Sequence, residues 1–231
     1  MSGLKLYSVS DGPPSLAVKM VLEVLKVPYE NIEVDFVAGE HISEEYAKKN
    51  PQREIPVLED NGFFLSESNA ILQYLAEKHK NRSIYPEDVQ ERARVNQRLC
   101  FNLSTYYRSI LDHIILPMFY DYQRTPQTEK KLQIALSAFN SYLERDGFKY
   151  AASDNLTIAD LQLVTATLCL EAVNFDFTQF QKITKWYETF KAENEKLWAI
   201  AKVGMLELRH FNTNPPDLSH LKHPVHPVRK V

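Results

Sequence analysis

The stretch from residue 50 to residue 70, NPQREIPVLEDNGFFLSESNA, constrains the fold more than any other part of the chain. Ile55 precedes Pro56, which favours an extended backbone whose N–H and C=O project sideways and can pair with an extended ligand. Asn61-Gly62 between two apolar runs is typical of a tight hairpin turn, because both positions tolerate positive φ. The sequence therefore predicts a hairpin with a peptide-pairing edge at its start.

A helix begins directly after this hairpin, at Ser66-Glu67-Ser68, where an apolar helical pattern starts with Ile71 and Leu72. Free N–H groups at a helix N-terminus favour an anion, and the Glu67 carboxylate can hold an ammonium group. A zwitterionic amino-acid end satisfies both groups at once. Capping and charge-matching of the helix start is the alternative, purely structural interpretation.

The composition excludes several classes of protein. The 231 residues are 44% hydrophobic and 25% charged, with a formal net charge of -3 and no long basic block, which argues against nucleic acid or an acidic membrane as partner. There is no membrane-length apolar stretch and no signal-peptide core in MSGLKLYSVS, so we expect a cytoplasmic protein. Cys100 and Cys169 lie in apolar helical segments and are predicted to be buried, reduced thiols, and no metal site is expected.

Short β-like runs alternate with helical runs before residue 80, which indicates a βαβ unit. Residues 4–7 have strand character, and residues 17–25 carry one apolar helical face. Ile32, Val34 and Phe36 alternate with acidic residues, as in a half-buried strand. Together with the hairpin and the helix after it, this order predicts a thioredoxin-like α/β domain over residues 1–80.

After a linker at residues 81–88 the pattern is helical, so we expect an all-α domain over residues 89–210. The predicted helices cover residues 89–122, 127–145, 157–172, 179–193 and 195–208. Residues 211–231 hold four prolines and three histidines and are predicted to form an irregular tail that covers a surface or is mobile.

Three stretches resemble the cytosolic glutathione S-transferases, most closely the insect delta and epsilon classes: LYSVSDGPPSLAVKMVLEVL, AGEHISEEYAKKNPQREIPVLEDNGFFLSESNAILQYLAEK and LTIADL. The resemblance covers residues 3–208. It implies a homodimer that uses reduced glutathione as co-substrate, without a further cofactor, and transfers it to small hydrophobic electrophiles in detoxification. The glutathione sites would lie near the subunit interface.

The resemblance also implies the contacts with glutathione. Glu67 and Ser68 would hold the γ-glutamyl end, and the Ile55 backbone would pair with the cysteinyl unit. His41 and Arg53 would face the glycyl carboxylate, for which Arg keeps a permanent positive charge where relatives commonly carry His. A solvated His41 and an Arg53 paired within its own loop are the alternatives. The full implied set is His41, Arg53, Ile55, a cis Pro56, Glu67, Ser68 and Asn69, the last at a position where delta enzymes often carry Arg.

The catalytic centre departs from the family pattern. Delta and epsilon enzymes carry a serine just before the first helix, and alignment through PPSLAVKM puts Gly12 at that position. The chemistry needs a thiolate at neutral pH, whereas an ordinary cysteine thiol has a pKa of about 8.5, so a hydrogen-bond donor is needed. We expect this donor to be Ser10 or Tyr7, which resembles the catalytic tyrosine of the alpha, mu and pi classes. A water molecule or a backbone amide is the third alternative.

The resemblance places the hydrophobic-substrate site in the helical domain, with Tyr107, Leu111 and Phe119 as wall residues. Packing in the bundle core is the alternative for each of them. Phe211 and the tail would close this pocket. Asn102 stands where many relatives carry Asp near a glutathione contact on the dimer side, which predicts a weaker contact there.

The motif LTIADL is interpreted as structural. The Thr157 side chain can accept from the N–H of Asp160, and the Asp160 carboxylate can accept from the N–H of Thr157, as in a capping box. It resembles the capping motif that the family uses for folding.

Three functions remain open at the level of sequence. The first is conjugation of glutathione to hydrophobic electrophiles. The second is a glutathione-dependent isomerase or peroxidase that acts on an endogenous apolar substrate. The third is a non-catalytic protein that binds glutathione or a hydrophobic compound, which Gly12 favours.

Overall fold

A computed structural model describes residues 3–228 of the chain. The N-terminal part contains a four-stranded sheet with helices packed against it. Its elements are β1 (Leu4–Ser8), α1 (Pro13–Leu25), β2 (Glu30–Glu33), a 3-10 turn (Glu40–Ile42), α2 (Glu44–Ala47), β3 (Val57–Asp60), β4 (Phe63–Leu65) and α3 (Ser68–Lys78).

The sheet has the strand order β2-β1-β3-β4, in which β1 is parallel to β2 and antiparallel to β3. Leu4 and Leu6 of β1 lie in the main hydrophobic core, whereas Tyr7 packs with Val57 and Tyr46 in a separate cluster. This split follows from the alternation of side chains along a strand. The thioredoxin-like arrangement predicted from the sequence is confirmed. The second strand is shorter than predicted, because it ends at Glu33 and Phe36 lies beyond it.

The remaining described residues are predominantly helical, as predicted. Two π-helical turns, Asn102–Tyr106 and Leu111–Ile115, join α4, α5 and α6 end to end where one helix over residues 89–122 was predicted. The helices are α4 (Val89–Phe101), α5 (Tyr107–Ile110), α6 (Leu116–Phe119), α7 (Pro126–Asp146), α8 (Ile158–Ala172), α9 (Gln181–Glu193) and α10 (Glu195–Thr213). Helix α8 is buried along almost its whole length, as expected of a helix that is apolar all round.

Two details differ from the sequence predictions. Cys100 is exposed, so the prediction that it is buried was wrong, whereas Cys169 is buried as predicted. Cys100 lies on a face of α4 that other described residues do not cover. Helix α10 continues to Thr213, beyond the predicted end at residue 208, so the first residues assigned to the irregular tail are helical. Residues 214–228 contain no helix or strand.

The start of α8 is fixed by a buried carboxylate. Asp160 accepts from the backbone N–H and hydroxyl of Thr157 at 2.9 Å each, from the Ala151 N–H at 2.7 Å and from the Trp186 indole N–H at 2.9 Å. The carboxylate half of the predicted capping box is therefore present. Since Ala151 and Trp186 belong to other segments, this one side chain also joins α8 to α9 and to the loop after α7.

Replacing Asp160 with Ala removes an acceptor that several buried donors share. We expect the free energy of unfolding to fall by about 3–5 kcal/mol, because these donors stay buried without a partner. Urea denaturation followed by far-UV circular dichroism measures the change. Asp154→Ala is the control, since Asp154 is exposed and accepts from the Lys149 N–H at the surface. Equal losses in the two variants would show that the network does not stabilise the fold.

Candidate functional site

A cavity of about 150 Å³ lies between the two parts of the fold. Its walls combine the loop before β3, the start of α3 and the start of α1 with residues of the helical part. The lining residues are Pro14, Gln52, Glu54, Ile55, Pro56, Glu67, Ser68, Asn69, Asn102, Leu103, Tyr107 and Gln162. Of the predicted contacts with glutathione, Ile55, Pro56, Glu67, Ser68 and Asn69 lie here together.

The backbone of Ile55 is presented to this cavity without an intramolecular partner. The Ile55–Pro56 peptide bond is cis. Neither the N–H nor the C=O of Ile55 forms a hydrogen bond within residues 3–228. The preceding carbonyl, that of Glu54, accepts from the Tyr46 hydroxyl at 3.2 Å and from the Asn50 amide at 2.8 Å. An extended peptide can therefore pair with Ile55 while the loop before it is held in place.

The start of α3 forms part of the cavity wall. Glu67 precedes the helix with φ 66°, and no side chain caps the first N–H groups of the helix. Such N–H groups are free to bind a carboxylate. The Gln52 amide donates to the Glu67 carboxylate at 3.0 Å, and the Gln162 amide donates to the Ser68 hydroxyl at 2.8 Å. This end therefore presents N–H donors beside a carboxylate, as an amino-acid zwitterion requires.

His41 and Arg53, two further predicted contacts with glutathione, do not line this cavity. His41 is only 5% exposed, stacks on Phe36 with ring centroids 4.8 Å apart, and does not line the cavity. Burial and the nearby imidazoles of the last described segment lower the pKa of His41 to about 4. The Arg53 guanidinium pairs with Glu44 at 2.6 Å and donates to the Ile42 carbonyl.

Asn69 lines the cavity but also donates to the Leu99 carbonyl at 3.1 Å, so its amide ties α3 to α4. Asn102 is 4% exposed and lines the same cavity. Its side-chain oxygen is buried and has no hydrogen-bond partner in the described part of the chain.

The two predicted donors differ in their surroundings. The Tyr7 hydroxyl donates to the Glu59 carboxylate at 2.8 Å, and burial together with that bond raises the pKa of Tyr7 to about 12. Tyr7 is absent from the cavity lining, so its position speaks against a role as the thiol donor. The Ser10 hydroxyl has no hydrogen-bond partner within residues 3–228 and is half-buried in the loop between β1 and α1.

Gly12 adopts an ordinary extended conformation, with φ -70° and ψ 115°. A side chain is excluded there by packing, because a Cβ on Gly12 would lie 2.6 Å from a Val9 methyl group and 3.5 Å from the Ser15 hydroxyl. Ser15 is buried, and its hydroxyl accepts from the Val9 N–H at 3.4 Å. The loop between β1 and α1 therefore leaves no room for a side chain at residue 12.

The three predicted wall residues do not share one open cavity. Tyr107 lines the cavity beside Ile55, Leu111 is half-buried against the main core, and Phe119 is 7% exposed. Phe119 contacts the rings of Phe36 and Phe211 at centroid distances of 5.7 and 5.4 Å.

A larger cavity of about 480 Å³ lies between α6, the loop after it and the end of α10. It is lined by Pro117, Met118, Asp121, Tyr122, Gln123, Arg124, Phe211, Asn212 and Pro215. None of the predicted glutathione contacts lies in it, so the smaller cavity is the candidate site.

Several side chains that shape the site were missed from the sequence. Tyr46, Asn50 and Gln52 hold the loop around Ile55, and Gln162 reaches the site from α8. Asn50 and Gln52 lie inside the stretch that the sequence singles out, so its turn chemistry was the available signal. Gln162 is 94 residues from Ser68 along the chain, and no local pattern reveals it.

Within residues 3–228, no group of three or more His, Cys, Asp or Glu side chains is arranged to hold a metal ion. None of the helices in this part of the chain has the length and apolar character needed to cross a bilayer.

Comparison with known proteins gives two matching family profiles. The profile for "Glutathione S-transferase, N-terminal domain" matches residues 2–77, and the profile for "Glutathione S-transferase, C-terminal domain" matches residues 70–194. The chain is 34% identical over 186 residues to glutathione S-transferase D6 of Drosophila melanogaster, covering 80% of this chain and 86% of that protein.

Solved structures agree with these matches. A diazinon-metabolizing glutathione S-transferase of the silkworm Bombyx mori is 51% identical, with a TM-score of 0.84 over 89% of this chain and 98% of the other. A delta-class glutathione transferase of Nilaparvata lugens is 33% identical, with a TM-score of 0.85 over 91% of this chain and 99% of the other.

Gly12→Ala tests whether packing against Val9 excludes a side chain at residue 12. We expect the free energy of unfolding to fall by about 1–3 kcal/mol, because the new methyl group overpacks a closed loop. In the double variant Val9→Ala/Gly12→Ala the same substitution costs less, since the methyl group it met is gone. Urea denaturation of the wild type, both single variants and the double variant measures this coupling. Strictly additive losses would contradict the packing explanation.

Proposed function

The chain belongs to the glutathione S-transferase family, and we propose that it conjugates the thiol of reduced glutathione to small hydrophobic electrophiles, as in detoxification. The observation that carries this proposal is the meeting of the unpaired Ile55 backbone with the uncapped start of α3 in one cavity. These groups match the backbone of a cysteinyl unit and the charged end of a γ-glutamyl unit.

The cavity offers partners for the γ-glutamyl and cysteinyl units of glutathione. The γ-glutamyl carboxylate accepts hydrogen bonds from the free N–H groups at the start of α3. The ammonium group of the same unit pairs with the Glu67 carboxylate. The cysteinyl unit pairs with the Ile55 backbone, and its thiol lies in the cavity that Pro14 and Tyr107 also line. The glycyl carboxylate extends towards Arg53 and His41.

The thiol needs a hydrogen-bond donor, and Tyr107 is the best-placed candidate. Part of its side chain faces the cavity, and its hydroxyl has no hydrogen-bond partner within residues 3–228. The protein packed around the phenol raises the pKa of Tyr107 well above its ordinary value, so the hydroxyl keeps its proton for donation. Ser10 is the second candidate, because its hydroxyl is also unpartnered, although it does not line the cavity.

The electrophile approaches on the helical side of the thiol. Tyr107 and Leu103 present apolar surface to the cavity, which suits a hydrophobic molecule. We also propose a homodimer, for which the exposed apolar side chains of Phe63 and Phe64 on β4, 51% and 38% exposed, are candidate contacts. We place the enzyme in the cytoplasm, where reduced glutathione is available, and it requires no further cofactor.

A titration of the bound thiol tests the proposal. In the wild type we expect the thiolate absorbance of bound glutathione to appear at a pH at least one unit below the ordinary thiol pKa of about 8.5. Tyr107→Phe should move this pKa back towards the ordinary value and lower kcat/KM about 10–100-fold. Ser10→Ala should have a smaller effect. Tyr7→Phe is the matched control, because it removes a tyrosine hydroxyl that Glu59 already holds.

An ordinary thiol pKa in the wild type, with glutathione bound, would contradict conjugation and favour the binding protein that Gly12 suggests. A normal pKa shift in Tyr107→Phe together with its loss in Ser10→Ala would keep the reaction and assign the donor to Ser10.

A further inference from the structure

The segment from residue 214 to residue 228, called the proline-histidine segment below, connects one part of the fold to the other. At one end the His220 Nε2–H donates to the Val37 carbonyl at 2.9 Å, in the loop after β2. At the other end the Asp121 N–H, directly after α6, donates to the Pro227 carbonyl at 2.9 Å. The segment therefore holds the loop after β2 and the helical part together.

The packed position of the segment depends on a glycine in the loop after β2. Leu218 and Leu221 of the segment are 3% and 9% exposed and belong to the main hydrophobic core. Gly39 has φ 76°, and a Cβ added there would lie 2.7 Å from a methyl group of Leu221. A side chain at residue 39 would therefore be strained and would push the segment away.

Three imidazole rings meet where the segment crosses the 3-10 turn. The His223 ring lies 6.0 Å from the ring of His41 and 4.6 Å from that of His226, measured between centroids. The Tyr120 ring lies 5.3 Å from His223 and 4.4 Å from His226. His41 is 5% exposed, and its Nδ1 has no hydrogen-bond partner in the described part of the chain. These three histidines are called the histidine cluster below.

The hydrogen bonds of His223 require a neutral ring. Its Nδ1 accepts from the N–H groups of Val225 and His226 at 3.2 and 3.0 Å. A neutral imidazole can accept at Nδ1 only with its proton on Nε2, whereas a protonated imidazole donates at both nitrogens. Protonation therefore places an N–H at Nδ1 against two other N–H groups and breaks both bonds. The turn over residues 223–226 is compatible with neutral His223 alone.

The surroundings of the cluster also favour neutral rings. Burial, with His223 and His226 nearby, lowers the pKa of His41 to about 4. Burial and the neighbouring His226 ring lower the pKa of His223, and burial together with the Arg108 guanidinium lowers the pKa of His226. The Tyr122 hydroxyl lies 3.2 Å from the His226 Nδ1. It is a neutral partner and does not compensate a charge on the ring.

The other ionisable groups near the cluster offer no counter-ion. They come from α5, the residues after α6, the 3-10 turn and the loop before β3: Arg108, Tyr120, Asp121, Tyr122, Glu40 and Arg53. Lys222, within the segment, is a further cation. The Glu40 carboxylate accepts from the Asp35 N–H at 2.9 Å, and no carboxylate in residues 3–228 forms an ion pair with one of the three rings. Protonation of the cluster therefore brings positive charges together without an anion.

The pH window follows from the direction of these shifts. A histidine in the released segment has an ordinary pKa of about 6.5, whereas the packed rings have lower pKa values. Packing is therefore fully stable above about pH 6.5 and loses stability as the pH falls through the lower pKa values of the packed state.

We propose that the proline-histidine segment is an acid-sensitive connection, which holds the loop after β2 against the helical part while its histidines are neutral and is released when they are protonated. The inference goes beyond the proposed function and does not depend on it, because no ligand takes part. Release exposes Leu218, Leu221 and the ring of His41.

The amide of Asp121 reports the packed segment, because its N–H donates to the Pro227 carbonyl. Its hydrogen-exchange protection is measured in the full chain by ¹H–¹⁵N spectroscopy at about pH 7.5 and about pH 5, on either side of the ordinary histidine pKa, with correction for the intrinsic exchange rate. The amide of Gly147 at the end of α7, which donates to the Leu143 carbonyl at 3.1 Å, is the internal reference.

We expect the protection of Asp121 to fall at least about tenfold between the two pH values, since each neutral ring that packing requires contributes up to about tenfold per pH unit. In His223→Asn the fall should be at least about threefold smaller, because the Asn carboxamide oxygen can accept the same two N–H groups without titrating. His41→Phe should also reduce it, since the new ring can stay stacked on Phe36. His79→Asn is the control, because His79 is exposed at the end of α3.

Equal protection of Asp121 at the two pH values in the wild type would overturn the inference, and so would an unchanged fall in both His223→Asn and His41→Phe. An equal fall at Gly147 would show general unfolding in acid and would overturn it as well. A chain that ends after Asn214 checks the reporter: its Asp121 amide should be unprotected at both pH values. Protection that persists without the segment would contradict the inference.

Discussion

The site depends on the two hydrogen bonds that hold the Glu54 carbonyl. The donors, Tyr46 and Asn50, are 2% and 1% exposed, so water does not compete with them. Each bond contributes about 1 kcal/mol to stability. Their larger effect is geometric, because they fix the loop so that the next residue, Ile55, presents an unpaired backbone to the cavity. Without them this N–H and C=O would be free to turn away from a ligand.

The helical part of the chain holds the start of α3 in place and contributes residues to the cavity. Gln162 of α8 donates to Ser68, and Asn69 donates to the Leu99 carbonyl of α4, so the start of α3 is held from both sides. The same helical part supplies Tyr107 to the cavity. Since α8 is itself fixed through Asp160, the network that stabilises the helical core also positions a wall of the site. One helix, α8, therefore contributes both to the Asp160 network and to the wall of the cavity.

Much of the fold, and of the cavity wall formed by Ile55 and the start of α3, could be predicted, because the signals are local. Ile55-Pro56, Asn61-Gly62 and the helix start at Ser68 each act on their immediate neighbours. The surroundings of Tyr7 could also have been predicted. Side chains alternate along a strand, so Tyr7 lies on the face of β1 opposite to Leu4 and Leu6.

The burial of His41 could not be predicted from the sequence. The residues that cover it belong to a segment that contacts the loop after β2 across a separation of 183 residues. The exposure of Cys100 and the reach of Gln162 likewise depend on how helices pack, which periodicity alone does not determine. The long-range contacts are therefore the part of the site that only the structure reveals.

Hydrogen exchange at the Ile55 amide tests the central claim most directly, namely that this backbone pairs with the ligand. In ¹H–¹⁵N spectra we expect the Ile55 N–H to exchange freely in the unliganded protein and at least about tenfold more slowly with saturating glutathione. The amide of Gly62, at the far end of the hairpin, serves as the internal reference and should not change. Protection of Gly62 and Ile55 to the same degree, or of neither, would contradict the account.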